Sequence, residues 1–268
     1  MAPLEFHPMV EFVNRLITFA VSASVAAAVL GSLRRIPRRA DLTRWSWFLV
    51  AGVVAQIIIG AVVTLSELKY SMVALHFLVS MVLVWAAVVL MYKAADDTGD
   101  RPEVIDGSVV PARRPWTTEA KALVTLGAAV LFTGAMVTSA GKHPGALPDS
   151  SGVEHVVERL PFDIGQTTRV HSVLVWLLCI VAIVTALRLR QRSDAAFTAC
   201  TQLLGVIVAQ GAIGYVQYFT GVPALLVGFH VAGATLVWVM TLRVAFVTAG
   251  APSVAATVRP RLGGDAVS

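Results

Sequence analysis

Three histidines fall inside long apolar runs of this chain: His76, His171 and His230. An ionisable side chain in the hydrocarbon of a bilayer costs on the order of a few kcal/mol unless it faces a partner or a cavity, so each is a candidate for chemistry. Counted from the outer ends of their runs they lie about six, four and eight residues deep, which at 1.5 Å of rise puts them within roughly 6–12 Å of one membrane face. Two neutral imidazoles on different helices can take both axial positions of a heme iron and leave the porphyrin faces to apolar side chains. His171 and His230 suit that pairing. Taken singly, each histidine is equally well explained as a packing residue bonded to a carbonyl; the common depth favours the cofactor.

The first apolar run opens with Glu11, Asn14 and Arg15. An amide is a poor iron ligand. If Asn14 faces His76, a heme there is expected to be five-coordinate on His76, with an open side beside Glu11, which is three residues from Asn14 and on the same helix face. An open iron position near a carboxylate suits oxidation of a bound molecule better than electron transfer. The plainer alternative is an i, i+4 ion pair between Glu11 and Arg15. Gln56 and Gln210 are also intramembrane, and either join helices or reach towards a porphyrin. His7, His143 and His155 lie outside the runs, and Cys179 and Cys200 read as unpaired thiols at different depths. Zinc H-E-x-x-H, P-loop and G-x-S-x-G patterns are absent, which leaves no hydrolase reading.

These residues need elements to hold them. With 57% hydrophobic and 14% charged residues, the chain is too apolar for a soluble surface of its length. Runs at 10–33, 46–66, 71–92, 119–140, 168–187, 196–219 and 223–248 are each long enough to cross a bilayer as a helix. The expected fold is therefore an all-α polytopic membrane bundle of seven transmembrane helices. A net charge of +5 does not indicate nucleic acid, because the cations are spread over alternate loops. Arg34, Arg35, Arg38, Arg39 and Arg44 follow the first run; Lys93, Arg101, Arg113 and Arg114 the third; Arg188, Arg190 and Arg192 the fifth. The positive-inside rule puts those loops and the C-terminus in the cytoplasm and the histidine layer near the outer face of the cell membrane. The polar segment after the third run and the tail after Gly250 read as connectors.

The chain also repeats itself. Residues 54–76 and 208–230 share Val-Ala-Gln, a glycine four residues after the glutamine and a histidine twenty residues after it. Gln56, Gly60 and His76 map onto Gln210, Gly214 and His230 at one offset. Extended backwards, the repeat sets Asn14 where His171 stands. Two four-helix units would call for one more helix before the first run, and an N-terminus outside with no signal segment before it points the same way. The expected organisation is an N-terminal half at 1–116, a C-terminal four-helix half at 117–249 and a cytoplasmic tail at 250–268.

In order and spacing, Glu11-x-x-Asn14-Arg15, Gln56-x-x-x-Gly60, His76, His171, Gln210-x-x-x-Gly214 and His230 resemble the heme A synthase family, over about residues 7 to 248. Asn14 departs from that family's Glu-x-x-His-Arg. The resemblance implies two pseudo-symmetric four-helix halves. It implies oxidation of a methyl substituent of heme O, the substrate, to the formyl of heme A through a hydroxylated intermediate, for terminal oxidases. His171 and His230 would then ligate a resident heme b, His76 would ligate the substrate heme, and Glu11, Asn14 and Arg15 would flank the reacting centre, with Gln56 and Gln210 beside the cofactors. Expected partners are membrane lipid, a heme O synthase as heme donor, and a second copy of the chain. Two other readings stay open: a cytochrome b-like electron carrier, and a small-solute transporter, which would be colourless.

Overall fold

A computed structural model describes residues 6–96, 103–105, 108–110, 115–141, 158–191 and 194–250. Seven helices carry the chain: α1 (Phe6–Arg34), α2 (Ala40–Leu65), α3 (Tyr70–Ala95), α4 (Thr118–Ala140), α5 (Ile164–Leu189), α6 (Asp194–Phe219) and α7 (Ala224–Thr248). All seven are long and apolar enough to cross a membrane, as the apolar runs predict. The helices begin where polar caps allow rather than where the apolar runs begin. Asp163 accepts the Gln166 amide at 2.8 Å and starts α5 four residues ahead of its run. Thr117 caps α4 through the Ala120 amide at 3.2 Å. Between α3 and α4, β1 (Glu103–Ile105) and β2 (Ser108–Val110) pair antiparallel, with Ile105 opposite Ser108. The sequence signal for this ribbon is Asp106-Gly107 between β-branched residues, a favoured two-residue hairpin connection.

The repeat extends to the backbone. An offset of 154 carries both ends of α2 onto those of α6 and the start of α3 onto that of α7. The turns match in conformation: Glu67 and Leu68 have φ of 53° and 62°, and Gly221 and Val222 have 79° and 60°. Each turn is closed by an equivalent bond, Leu68 N to Val63 O at 2.9 Å and Val222 N to Gln217 O at 2.8 Å.

The chain forms two compact units, Met1–Ile58 and Ile59–Ser268. Within the first, the buried Ser46 hydroxyl lies between the Leu42 and Ala28 carbonyls, at 2.9 and 3.3 Å, and ties α2 to α1. In the second, α4, α5, α6 and α7 pack in a ring in that order, with α4 closing against α7, so α5 and α7 stand on a diagonal. Helix α3 lies against α7 and α4. Across the α3–α7 contact, repeat-equivalent residues meet each other. The Thr235 hydroxyl touches Met81 Sδ at 3.9 Å, and Tyr92 stacks on Phe246 with centroids 4.6 Å apart. Self-pairing of this kind is the mark of a two-fold relation, and here the pseudo-axis runs between α3 and α7. Trp238 Nε1 donates to the Met81 carbonyl at 3.0 Å and fixes that contact.

The most fully buried cluster of the ring is at one end. Leu123, Leu178, Ala182, Ala186, Ala199, Cys200, Leu203 and Val244 lie 5% exposed or less, and all come from the start of α4 and α6 or the later half of α5 and α7. Small residues there let the helices approach closely. The Cys200 thiol is part of this packing and donates to the Ala182 carbonyl at 3.3 Å.

Candidate functional site

The histidines stand at the opposite end. His76, His171 and His230 follow the first residues of α3, α5 and α7 by six, seven and six positions, a depth of about 9–11 Å. The layer is flatter than the apolar runs alone predict, because the Asp163 cap lengthens α5. Five successive spans alternate in direction, so α3, α5 and α7 start from the same side.

Each histidine sits on the second helix of a hairpin and packs against a glycine on the first. A Cβ built on Gly134 would lie 3.2 Å from His171 Cε1, one on Gly214 3.1 Å from His230 Cε1, and one on Gly60 3.5 Å from His76 Cε1. The glycines give the imidazoles room to lie flat along the neighbouring helix. The same device recurs one turn deeper in α6 and α7, where the Gln210 carboxamide occupies the space a Cβ on Gly233 would need.

His171 and His230 come from the two diagonal helices of the ring, seven and six positions after the helix starts. His171 Nδ1 is 3.2 Å from the Thr133 hydroxyl on α4. His230 Nδ1 and Gln210 Oε1 are buried with no hydrogen-bond partner among the described residues. Buried polar atoms are rarely left so. Glycine cradles, unpaired buried polar atoms and two imidazoles at one depth on diagonal helices fit the requirements of a bis-histidine heme. Among the described residues no group of three or more His, Cys, Asp and Glu side chains gathers, so the donor set is not that of a closed zinc site.

The other expected residues are placed as follows. His76 and Gly60 are together in the second unit, and Gln56 is half-buried in the first. Asn14 and Arg15 lie on exposed turns of α1 in the first unit. The Glu11 side chain lies outside the described residues, as do His143, His155 and the tail after Gly250. Thr133 and Gly134 were not indicated by the repeat, because α4 has no counterpart within the aligned segments. Their sole sequence signal is a Thr-Gly pair inside an apolar run.

A family model for cytochrome oxidase assembly proteins, COX15-CtaA, matches residues 3–242. The chain belongs to this family. The match runs from the beginning of α1 almost to the end of α7 and so takes in all three histidines. No curated protein matches the chain. Membership of the COX15-CtaA family makes cytochrome oxidase assembly the process this membrane protein serves. The family is the one the motif order resembles.

Proposed function

We propose that this cytochrome oxidase assembly protein is a heme A synthase, which oxidises a methyl substituent of heme O to the formyl group of heme A by way of the alcohol. The observation that carries the reading is the pair of glycine-cradled imidazoles, His171 and His230, on diagonal helices at one depth. They are the residues to hold a resident heme b, which when bound supplies a one-electron relay in the membrane. Gln210, one turn below the Gly214–His230 contact, lies beside that site. In the N-terminal half His76 is the ligand for heme O, and Glu11, Asn14, Arg15 and Gln56 are the motif residues the family resemblance assigns to that reaction. The proposed setting is the cell membrane with the C-terminus in the cytoplasm, and a heme O synthase as heme donor.

The test is spectroscopic and then chemical. Protein purified in detergent should show a low-spin b-type spectrum that is lost in His171→Ala and His230→Ala, and hemes extracted from cells supplied with heme O should include heme A. Heme b without heme A would make the protein an electron carrier. A colourless protein from heme-replete cells would remove the reading altogether.

A further inference from the structure

The contact between Thr133 and His171 bears on which ring nitrogen is free. The Thr133 hydroxyl has one proton and two nearby carbonyls to receive it, Ala129 O at 2.9 Å and Val130 O at 3.2 Å. With that proton directed to its own helix, the oxygen can only accept from His171 Nδ1, 3.2 Å away. In that arrangement Nδ1 carries the hydrogen and the lone pair is on Nε2. His230 Nδ1 has no such partner among the described residues. We propose that Thr133 is a positioning residue that locks His171 in the Nδ1–H tautomer and makes the two imidazoles of the pair electronically unequal. A hydrogen bond at the outer nitrogen of a ligating histidine raises its basicity and fixes its ring. This rests on the heme reading for its consequence, though the tautomer itself does not.

Two measurements keep the two apart. In protein from a heme-deficient host, labelled with 15N histidine, the His171 nitrogens should report Nδ1 protonated; Thr133→Val should give mixed tautomers and Thr133→Ser the wild-type pattern. In the heme-loaded protein Thr133→Val should move the midpoint potential upward, and Thr133→Ser should not. A His171 that is Nε2-protonated in the wild type, or unchanged tautomer and potential in Thr133→Val, overturns the proposal. Absence of heme from an otherwise folded wild type, with the tautomer as expected, overturns the heme reading and leaves the lock standing.

A second observation stands apart from the heme. In the first unit, a cavity of about 350 Å³ opens where α1 ends and α2 begins, lined by Ser32, Leu33, Arg38, Arg39, Thr43 and Arg44. Arg39 is already paired with Asp41, through bonds of 3.1 and 2.8 Å. Arg38 and Arg44 make no ion pair among the described residues, and the N-terminal amides of α2 begin at Ala40, also in the wall. Both helices are membrane spans, so the cavity lies at headgroup level, and Leu33 offers an apolar side to an acyl chain. We infer that this cavity binds the phosphodiester of an anionic phospholipid. Each such arginine contributes on the order of a fivefold gain near an anionic surface. Native mass spectra of delipidated protein titrated with phosphatidylglycerol should show a retained lipid, with phosphatidylcholine retained less. Arg38→Gln with Arg44→Gln should weaken phosphatidylglycerol retention about thirtyfold. Equal retention of both lipids, an indifferent double variant, or equal displacement by millimolar inorganic phosphate would each overturn the lipid assignment.

Discussion

The three glycines facing the histidines are not equivalent, and the difference is measurable. At 3.5 Å a methyl on Gly60 would make ordinary contact with His76, whereas at 3.1 Å a methyl on Gly214 would press on the His230 ring. Both neighbours belong to helices locked in a hairpin, so the ring must turn or the helices part. Gly214→Ala is therefore expected to distort or lose the low-spin spectrum, while Gly60→Ala should leave the His76 site intact, the substrate-heme spectrum being the readout. Gly134→Ala, at 3.2 Å, should behave like Gly214→Ala. At a tight site even a shift of a few tenths of an ångström matters, because iron ligation tolerates about 0.2 Å. A spectrum indifferent to Gly214→Ala would mean that His230 does not depend on its cradle. Gly233→Ala is a milder case, since the atoms it meets are the far end of Gln210, which can swing aside.

At the scale of elements, the two repeat turns solve one geometry with different residues. Both enter the left-handed region, Glu67–Leu68 without a glycine and Gly221–Val222 with one. A Cβ in that region costs roughly 1–2 kcal/mol. Glu67→Gly should raise the melting temperature by a few degrees and Gly221→Ala lower it by a similar amount, since about 1 kcal/mol corresponds to 2–4 °C in a chain of this size. Opposite signs in a detergent melt would bear this out; equal signs would not. The spans and the repeat were legible in the sequence because hydropathy and a fixed offset are properties of the chain itself. The α5 start, the ribbon after α3 and the Thr133–His171 bond were less so. The first depends on one capping carboxylate, the second on an Asp-Gly pair inside a polar connector, and the third on how α4 is rotated against α5, which period alone does not specify. The N-terminal residues Glu11, Asn14 and Arg15 are legible as a motif because their spacing is a property of the chain itself.

For the whole molecule, packing and charge divide the bilayer into two leaflets with different tasks. The close-packed, small-residue core of α4 to α7 is at the end that carries Arg188, Arg190 and the Glu119–Arg188 ion pair, and the histidine layer is at the other end, beside the repeat turns. The arginine-rich ends should face the cytoplasm, since cationic segments translocate poorly, and the turns should face outward. Single cysteines report this directly. Ser66→Cys and Thr220→Cys occupy equivalent places in the two turns, and Arg190→Cys lies at the opposite end of the same bundle. The native Cys200 is buried, so Cys179→Ser gives a quiet background. In intact cells a membrane-impermeant maleimide should label the first two and not Arg190→Cys, which should label after lysis. The reverse pattern would put the histidine pair near the cytoplasmic face. Because both turns follow from one repeated hairpin, labelling of one turn without the other would contradict the two-fold relation as well as the orientation.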